Sequence, residues 1–244
     1  MVSNNPIIVA LDVDSAARAL ALTQELTGAV GAVKVGSQLF TAAGPDIVRR
    51  LVAQGHRVFL DLKYHDIPNT VAGAAAEAAR LGAWMVDVHA SGGPAMMKAA
   101  KEAAAASAAK AGVQAPLVIA ITVLTSFDQN MLEVIGVQRT IQEQADALAW
   151  LAEEAGMDGV VASPHEVARL RETRGDRFVL VTPGIRAGSP GDAGRPRDDQ
   201  ARTMTASAAI AAGASHIVVG RPIIAAPDPR KAAEALLHEI KGNG

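Results

Sequence analysis

Short aliphatic runs alternate along the chain with Ala-rich stretches in which apolar residues recur at helical spacing. Runs rich in Val, Ile and Leu between turn residues are typical of buried strands, and a period near 3.6 is typical of helices. Strands are therefore predicted over 7–12, 32–35, 57–63, 83–89, 117–122, 159–162, 178–182 and 216–219. Helices are predicted over 15–27, 46–53, 71–81, 94–112, 141–155, 165–172, 205–212 and 229–240.

This pattern amounts to eight strand-then-helix units in 244 residues, with no obvious linker between them. Strict alternation of strands and helices favours a parallel sheet, and eight units in this length favour closure of the sheet. We therefore expect a single domain, residues 1–244, with the (β/α)8 TIM barrel fold. A doubly wound open sheet is the alternative, but no Gly-rich dinucleotide-binding motif follows the first predicted strand.

Composition removes several classes of function. The net charge of −2 gives no reason to expect a nucleic-acid partner. The absence of cysteine excludes disulfides, thiolate metal sites and cysteine nucleophiles. The first five residues are polar and do not resemble a signal peptide, and no apolar stretch approaches the ~20 residues needed to cross a bilayer. We expect a cytoplasmic protein with no membrane partner.

Charged residues stand where several predicted strands end. Asp12 ends the first strand, Lys34 the second, and Asp61 and Lys63 the third, with Asp66 just beyond. Side chains alternate along a strand, so Asp61 and Lys63 are expected on one face, at the barrel mouth where functional residues collect. A buried ion pair that only closes the barrel is the structural alternative. Several charges meeting at one mouth favour catalysis, because burial of so many charged groups is costly.

A phosphate site is suggested after the last two strands. Gly184 and Arg186 follow the seventh strand, and Gly220 and Arg221 follow the eighth. Loops at these two positions often bind phosphate in barrels, where glycine lets main-chain N–H groups approach an anion and arginine supplies a fork of donors. Each pair alone could be a simple turn. His89 could be a base, but such a histidine is more often structural, and the histidines show no metal-ligand spacing.

One segment breaks the regular pattern. Residues 187–200 (AGSPGDAGRPRDDQ) are rich in Gly, Pro and charge and separate the seventh strand from its helix. Loops of this length are uncommon unless they are functional or disordered. Composition alone favours a flexible insertion, whereas its position favours a mobile lid. If it is a lid, its deletion should lower kcat/KM sharply and leave the fold intact.

The run 59–71, FLDLKYHDIPNTV, closely resembles the signature of the orotidine 5′-monophosphate decarboxylase family. The Asp-x-Lys-x-x-Asp core followed by Ile-Pro-x-Thr is highly specific. The resemblance covers nearly the whole chain, and its other segments are ALD at 10–12, KVG at 34–36, TPGIR at 182–186 and VGRPI at 219–223. It implies a homodimeric barrel that decarboxylates orotidine 5′-monophosphate without a metal or other cofactor.

The resemblance also implies roles for residues in the catalytic centre. Lys34, Asp61, Lys63 and Asp66 would form an alternating charge network at the reacting carbon. Lys34 and Asp61 would also contact the substrate. Lys63 would stabilise the carbanion and then protonate it, while Asp61 and Asp66 would keep this lysine charged.

Further roles concern substrate binding. Asp12 would bind the ribose hydroxyls, and Thr125 would approach the pyrimidine. Asp66 and Thr70 would reach into the site of the neighbouring subunit. The phosphate would be held by Arg186, Gly220 and Arg221, and Gln200, at the end of the 187–200 loop, would close over phosphate and base.

Two other functions compete with this one. Some barrel decarboxylases and aldol-type synthases that act on sugar phosphates share the Asp-x-Lys-x-x-Asp motif but use Mg²⁺. In that group a glutamate at the end of the second strand helps to bind the metal, whereas Lys34 stands there in this chain and would repel a cation. A non-catalytic nucleotide-binding barrel is the second rival. Such proteins usually lose a charged catalytic residue, and all four are present here.

Overall fold

The computed structural model describes residues 5–186 and 203–242, which contain ten strands. They are β1 (Ile7–Ala10), β2 (Ala32–Gly36), β3 (Val58–Tyr64), β4 (Met85–His89), β5 (Leu117–Ile121), β6 (Gly159–Val161), β7 (Val179–Thr182), β8 (Ile185–Arg186), β9 (Met204–Thr205) and β10 (His216–Val219). The loop predicted at 187–200, including Gln200, lies outside the described residues.

Eight of these strands form a closed parallel barrel. Strands β1 to β7 pair in sequence order, β7 pairs with β10, and β10 pairs with β1. Closure is visible in the register, where Ile7 lies opposite Ile217 while Ile8 lies opposite Ala32 on the other side of β1. The predicted eight-stranded barrel is confirmed, and the open sheet is excluded because β1 has a partner on both sides. Strands β8 and β9 form a separate short parallel pair.

Eleven α-helices lie in the described ranges. They are α1 (Ala16–Leu26), α2 (Ser37–Ala43), α3 (Asp46–Ala53), α4 (Pro68–Arg80), α5 (Gly93–Ala111), α6 (Gln129–Val134), α7 (Ile141–Glu154), α8 (Val167–Arg174), α9 (Ala206–Ala211), α10 (Arg221–Ile224) and α11 (Pro229–Gly242). None of them is both long and apolar enough to span a bilayer. The sequence pattern did not predict α2, α6 or α10, because elements this short present few periodic positions.

Local sequence explains where several helices start and stop. Helix α1 begins after Ser15, whose hydroxyl accepts the N–H of Arg18, and α7 begins with a capping box between Thr140 and Glu143. Helix α5 ends because Gly112 takes a left-handed conformation with φ 67°. These caps fix the length of the segments that return the chain to the bottom of the barrel.

Alternation along the strands divides the core into two layers. Inside the barrel, a small cluster of buried side chains fills the centre: Ile8, Ala32, Phe59, Met85, Ile119 and Val181. Outside it, residues such as Leu60 and Val86 pack against the helices in a much larger cluster. Because branched aliphatic side chains fill both layers, the chain forms this core with few aromatic residues.

The N-terminal end of the barrel is closed by a polar and aromatic group of side chains. The Arg57 guanidinium lies 4.6 Å from the centre of the Trp84 ring, and the His216 ring meets that indole edge-on at 5.2 Å. Burial lowers the pKa of His216 to about 4, with a further contribution from Arg57. This closed end leaves the C-terminal mouth as the open one.

Candidate active site

A cavity of about 560 Å³ opens at the C-terminal ends of the barrel strands. Phe59, Val181 and other members of the inner cluster form its floor. Eight residues that the sequence singled out line it: Asp12, Lys34, Asp61, Lys63, Thr125, Gly184, Gly220 and Arg221. The cavity therefore joins the charged strand ends to the loops after β7 and β10.

Four charged side chains in this cavity form an alternating chain of ion pairs. The Lys34 ammonium lies 3.3 Å from Asp12 Oδ1 and 3.1 Å from Asp61 Oδ2. The other oxygen of Asp61 pairs with the Lys63 ammonium. Positive and negative groups thus follow one another in the order Asp12, Lys34, Asp61, Lys63.

Burial differs along this chain and determines its electrostatics. The side chains of Lys34 and Asp61 are 11% and 9% exposed, whereas those of Asp12 and Lys63 are 53% and 41% exposed. Burial by itself lowers the pKa of Lys34, but the Asp61 and Asp12 carboxylates more than offset this and raise it above its ordinary value. Burial likewise raises the pKa of Asp61, but Lys34, a hydrogen bond with Asp87 and Lys63 together hold it well below its ordinary value.

Strand β3 is irregular at the point where its charges lie. Leu60 pairs with Val86 and Tyr64 pairs with Val88, so residues 61–63 face the single residue Asp87 of β4. Lys63 has a φ of 53°, the only positive value at a non-glycine residue in the described ranges. Such a backbone conformation costs about 1–3 kcal/mol and is found most often at functional sites. Asp61 and Lys63 both reach the cavity as predicted, but at Lys63 this bulge, and not regular alternation, directs the side chain.

Sequence reasoning missed Asp87, which also lines the cavity. It is 1% exposed, and its Oδ1 accepts the main-chain N–H of Lys63 at 2.9 Å. The sequence does contain a signal for Asp87, which is a charged residue in a strand that is otherwise apolar until His89. Asp87 shares one face of this strand with Met85 and His89. Gln38 was missed as well, since it lies on the unpredicted helix α2.

The loops after β7 and β10 form the opposite wall of the cavity. Pro183, Gly184, Gly220 and Arg221 line it, and Gly184 has a φ of 84°, a conformation that favours glycine. Arg186 is exposed, pairs with Thr205 through the β8–β9 ladder, and is not among the lining residues. The described residues therefore place Arg221, but not Arg186, on the cavity.

Two of the predicted site residues, Asp66 of the charge network and Thr70, lie away from the cavity of their own chain. Asp66 is exposed, and its Oδ1 accepts the N–H of Ile67 at 2.6 Å. Thr70 is exposed in the first turn of α4. Neither residue lines the cavity. Their expected role at the site of a neighbouring subunit stays a prediction.

The remaining candidates are also placed. Thr125 is half-buried on the cavity wall after β5. The His89 ring stacks on His65 at 5.2 Å, and burial lowers the pKa of His89. Among residues 5–186 and 203–242, no three His, Asp or Glu side chains are grouped as metal ligands. The arrangement can bind an anion and place an ammonium beside a reacting centre.

Known proteins resemble this chain over almost its entire length. The family model described as orotidine 5′-phosphate decarboxylase / HUMPS family matches residues 5–236. The orotidine 5′-phosphate decarboxylase of Moorella thermoacetica is 51% identical over 242 residues, which are 99% of this chain and 94% of the relative. The protein of the same name from Halorhodospira halophila is 51% identical over 238 residues, covering 98% of this chain and 97% of the relative.

Solved structures agree with these sequence relatives. The crystal structure of orotidine 5′-phosphate decarboxylase from Lactobacillus acidophilus is 41% identical, with a TM-score of 0.84 over 97% of this chain and 99% of that one. The enzyme from Pyrococcus horikoshii OT3 is 30% identical, with a TM-score of 0.77 at the same coverage of 97% and 99%. The similarity therefore extends to the barrel itself.

Proposed function

Because the chain belongs to the orotidine 5′-phosphate decarboxylase / HUMPS family, we propose that it converts orotidine 5′-monophosphate to uridine 5′-monophosphate and carbon dioxide. The name shared by its curated relatives supports a decarboxylase of pyrimidine biosynthesis. The proposal includes three finer points: the reaction needs no cofactor, the protein is a cytoplasmic homodimer, and Lys63 carries the chemistry.

The observation that supports this chemistry best is the alternating chain from Asp12 to Lys63. Decarboxylation leaves negative charge on a ring carbon, and no electron sink in the substrate absorbs it. A fixed ammonium beside that carbon stabilises the charge as it develops. Asp61 holds the ammonium groups of both Lys34 and Lys63 in the cavity, so these charges are in place before the substrate arrives. Lys34 stands where the metal-dependent group carries a metal-binding glutamate, and its charge would repel Mg²⁺.

The bond between the ring carbon and the carboxylate carbon breaks, carbon dioxide leaves, and the electron pair stays on the ring carbon. Lys63 Nζ gives a proton to this carbon, and the neutral amine then regains a proton from water. One side chain thus serves as electrostatic stabiliser and as general acid.

Substrate binding is distributed around the same cavity. Asp12 binds the ribose hydroxyls, Thr125 contacts the pyrimidine, and Gly220 and Arg221 hold the phosphate. Phosphate binding far from the reacting carbon lowers the barrier when its binding energy organises the charged groups. Arg186 would also hold the phosphate, Gln200 would close over phosphate and base, and Asp66 and Thr70 would complete the partner's site. These four roles rest on the family resemblance.

The test is to follow loss of the orotate chromophore with purified protein, orotidine 5′-monophosphate and excess EDTA. Wild-type protein should turn over. Lys63→Ala should lose about 10³-fold or more in kcat, because a positioned electrostatic group contributes about 10²–10³ and a general acid about 10²–10⁴.

The control is Lys98→Ala, which removes a lysine that is 70% exposed on α5 and pairs only with Glu102 among the described ion pairs. It should match wild type. If folded wild-type protein does not decarboxylate orotidine 5′-monophosphate in EDTA but acts on a sugar phosphate when Mg²⁺ is added, it belongs with the metal-dependent group. Binding of uridine 5′-monophosphate without any turnover would instead indicate a nucleotide-binding protein.

A further inference from the structure

Asp87 is a buried acid inside the barrel to which the mechanism above gives no role. It lies in the middle of β4, between Val86 and Val88, which both pack outward in the large cluster. Its own side chain points inward to the cavity and is 1% exposed. The titratable groups that interact with it are Asp61, Lys63 and Tyr64. A carboxyl group so deep in a protein is costly unless its oxygens have partners.

One oxygen of Asp87 stabilises the bulge in β3. Because residues 61–63 face Asp87 alone, the ladder between β3 and β4 is interrupted there. The main-chain N–H of Lys63 donates instead to Asp87 Oδ1 at 2.9 Å. This bond holds Lys63 in its left-handed conformation, with φ 53°, and so fixes where the lysine side chain leaves the strand.

The other oxygen of Asp87 has no donor to bind in the described residues, and a second carboxyl group, that of Asp61, interacts with this side chain. Oδ2 is buried and receives no hydrogen bond from any donor group in the described parts of the chain, yet the side chain is within hydrogen-bonding reach of Asp61. Two carboxyl groups in contact are stable only when one of them carries a proton. Asp61 already pairs with the ammonium groups of Lys34 and Lys63, so it is the anion. Burial and the Asp61 carboxylate raise the pKa of Asp87 well above its ordinary value, which agrees with this assignment.

We propose that Asp87 is a neutral, protonated positioning residue that donates to Asp61, accepts from the Lys63 main chain, and thereby sets the geometry of the Asp61–Lys63 pair. This inference rests on the proposed function only for its kinetic consequence. An amide has the same shape and can make the same two hydrogen bonds, with Oδ1 accepting from Lys63 and Nδ2 donating to Asp61. Leucine has the same branched shape and makes neither.

The first experiment compares Asp87→Asn with Asp87→Leu and Asp87→Ala in the decarboxylation assay. Asp87→Asn should keep kcat within about threefold of wild type, whereas Leu and Ala should lower kcat about 10²-fold with little change in KM, since a small misplacement of a reacting group costs about that much. A folded Asp87→Asn protein that loses as much kcat as the other two would show that Asp87 acts as an anion. Unchanged kcat in folded Asp87→Leu or Asp87→Ala would show that it positions nothing.

A second experiment does not depend on activity and so separates this inference from the proposed function. The unfolding free energy of wild type and Asp87→Asn is measured from pH 4 to pH 8. The ordinary pKa of an aspartic acid is 3.8. A buried acid that stays protonated in the fold but ionises in the unfolded chain lowers the stability of wild type as pH rises above that pKa. The unfolding free energy of Asp87→Asn should therefore increase relative to that of wild type as pH rises. A constant difference, or a loss that grows with pH, would overturn the proposal whether or not the protein decarboxylates the substrate.

Discussion

The substitution Asp61→Asn should destabilise the fold, because it removes the main counter-ion of a buried lysine. The side chains of Lys34 and Asp61 are 11% and 9% exposed and lie 3.1 Å apart. Breaking a buried pair by removing one partner costs about 3–5 kcal/mol. We expect the lower end, about 3 kcal/mol, because Asp12 still lies 3.3 Å from the Lys34 ammonium and retains part of the attraction.

Asp12→Asn is the matched control, since it removes a carboxylate from the same lysine at nearly the same distance. The Asp12 side chain is 53% exposed, so solvent screens the pair and its loss should cost at most about 1 kcal/mol. Urea unfolding at fixed protein concentration measures the unfolding free energy of both variants. The expected loss of about 3 kcal/mol in Asp61→Asn, relative to wild type, corresponds to a fall in Tm of about 6–12 °C for a chain of this size. Equal effects of the two substitutions would refute the argument that burial sets the magnitude, and an Asp61→Asn protein as stable as wild type would refute the argument as a whole.

The pH dependence of this difference gives a second check on its cause. The pKa of Asp61 is depressed in the fold, so its ionised form contributes stability above its ordinary pKa of 3.8 and loses it as pH falls. The gap between wild type and Asp61→Asn should therefore be constant near neutral pH and narrow below about pH 4. A gap that stays the same into acid would assign the effect to packing.

Two further predictions concern the phosphate side of the cavity and the closed end of the barrel. Arg221→Ala should lower kcat/KM for orotidine 5′-monophosphate about 10- to 10²-fold, the worth of a hydrogen bond to a charged group, but should leave kcat/KM for unphosphorylated orotidine unchanged; an equal loss on both substrates would remove Arg221 from the phosphate site. At the closed end, His216 is neutral in the fold with a pKa of about 4 and becomes protonated near 6.5 when unfolded, so it should cost wild type about 1.4 kcal/mol of stability for each pH unit below 6.5. His216→Gln should lack this component between pH 6.5 and 4, and parallel stability curves for the two proteins would contradict it.

The sequence predicted the barrel because its signals are local and repeated. Each of the eight strands is a run of aliphatic residues, and the structure finds each within two residues of the predicted bounds. The elements it failed to predict are short: α2 and α6 have seven and six residues, α10 has four and contains Pro222, and β8 and β9 have two each. Such short elements form because tertiary contacts stabilise them, which a local pattern cannot reveal.

The same limit explains what the sequence showed of the site. Asp12, Lys34 and Asp61 were found because a charge that ends an apolar strand stands out, and the barrel brings such ends together. Asp87 lies in the middle of its strand, where the pattern predicts core packing, and only the structure shows that it faces the bulge in β3. The motif identifies Lys63, but it does not predict the backbone conformation that directs this side chain into the cavity. That conformation depends on Asp87, a residue 24 positions away that accepts the N–H of Lys63, and this contact forms only when β3 and β4 pair across the intervening helix.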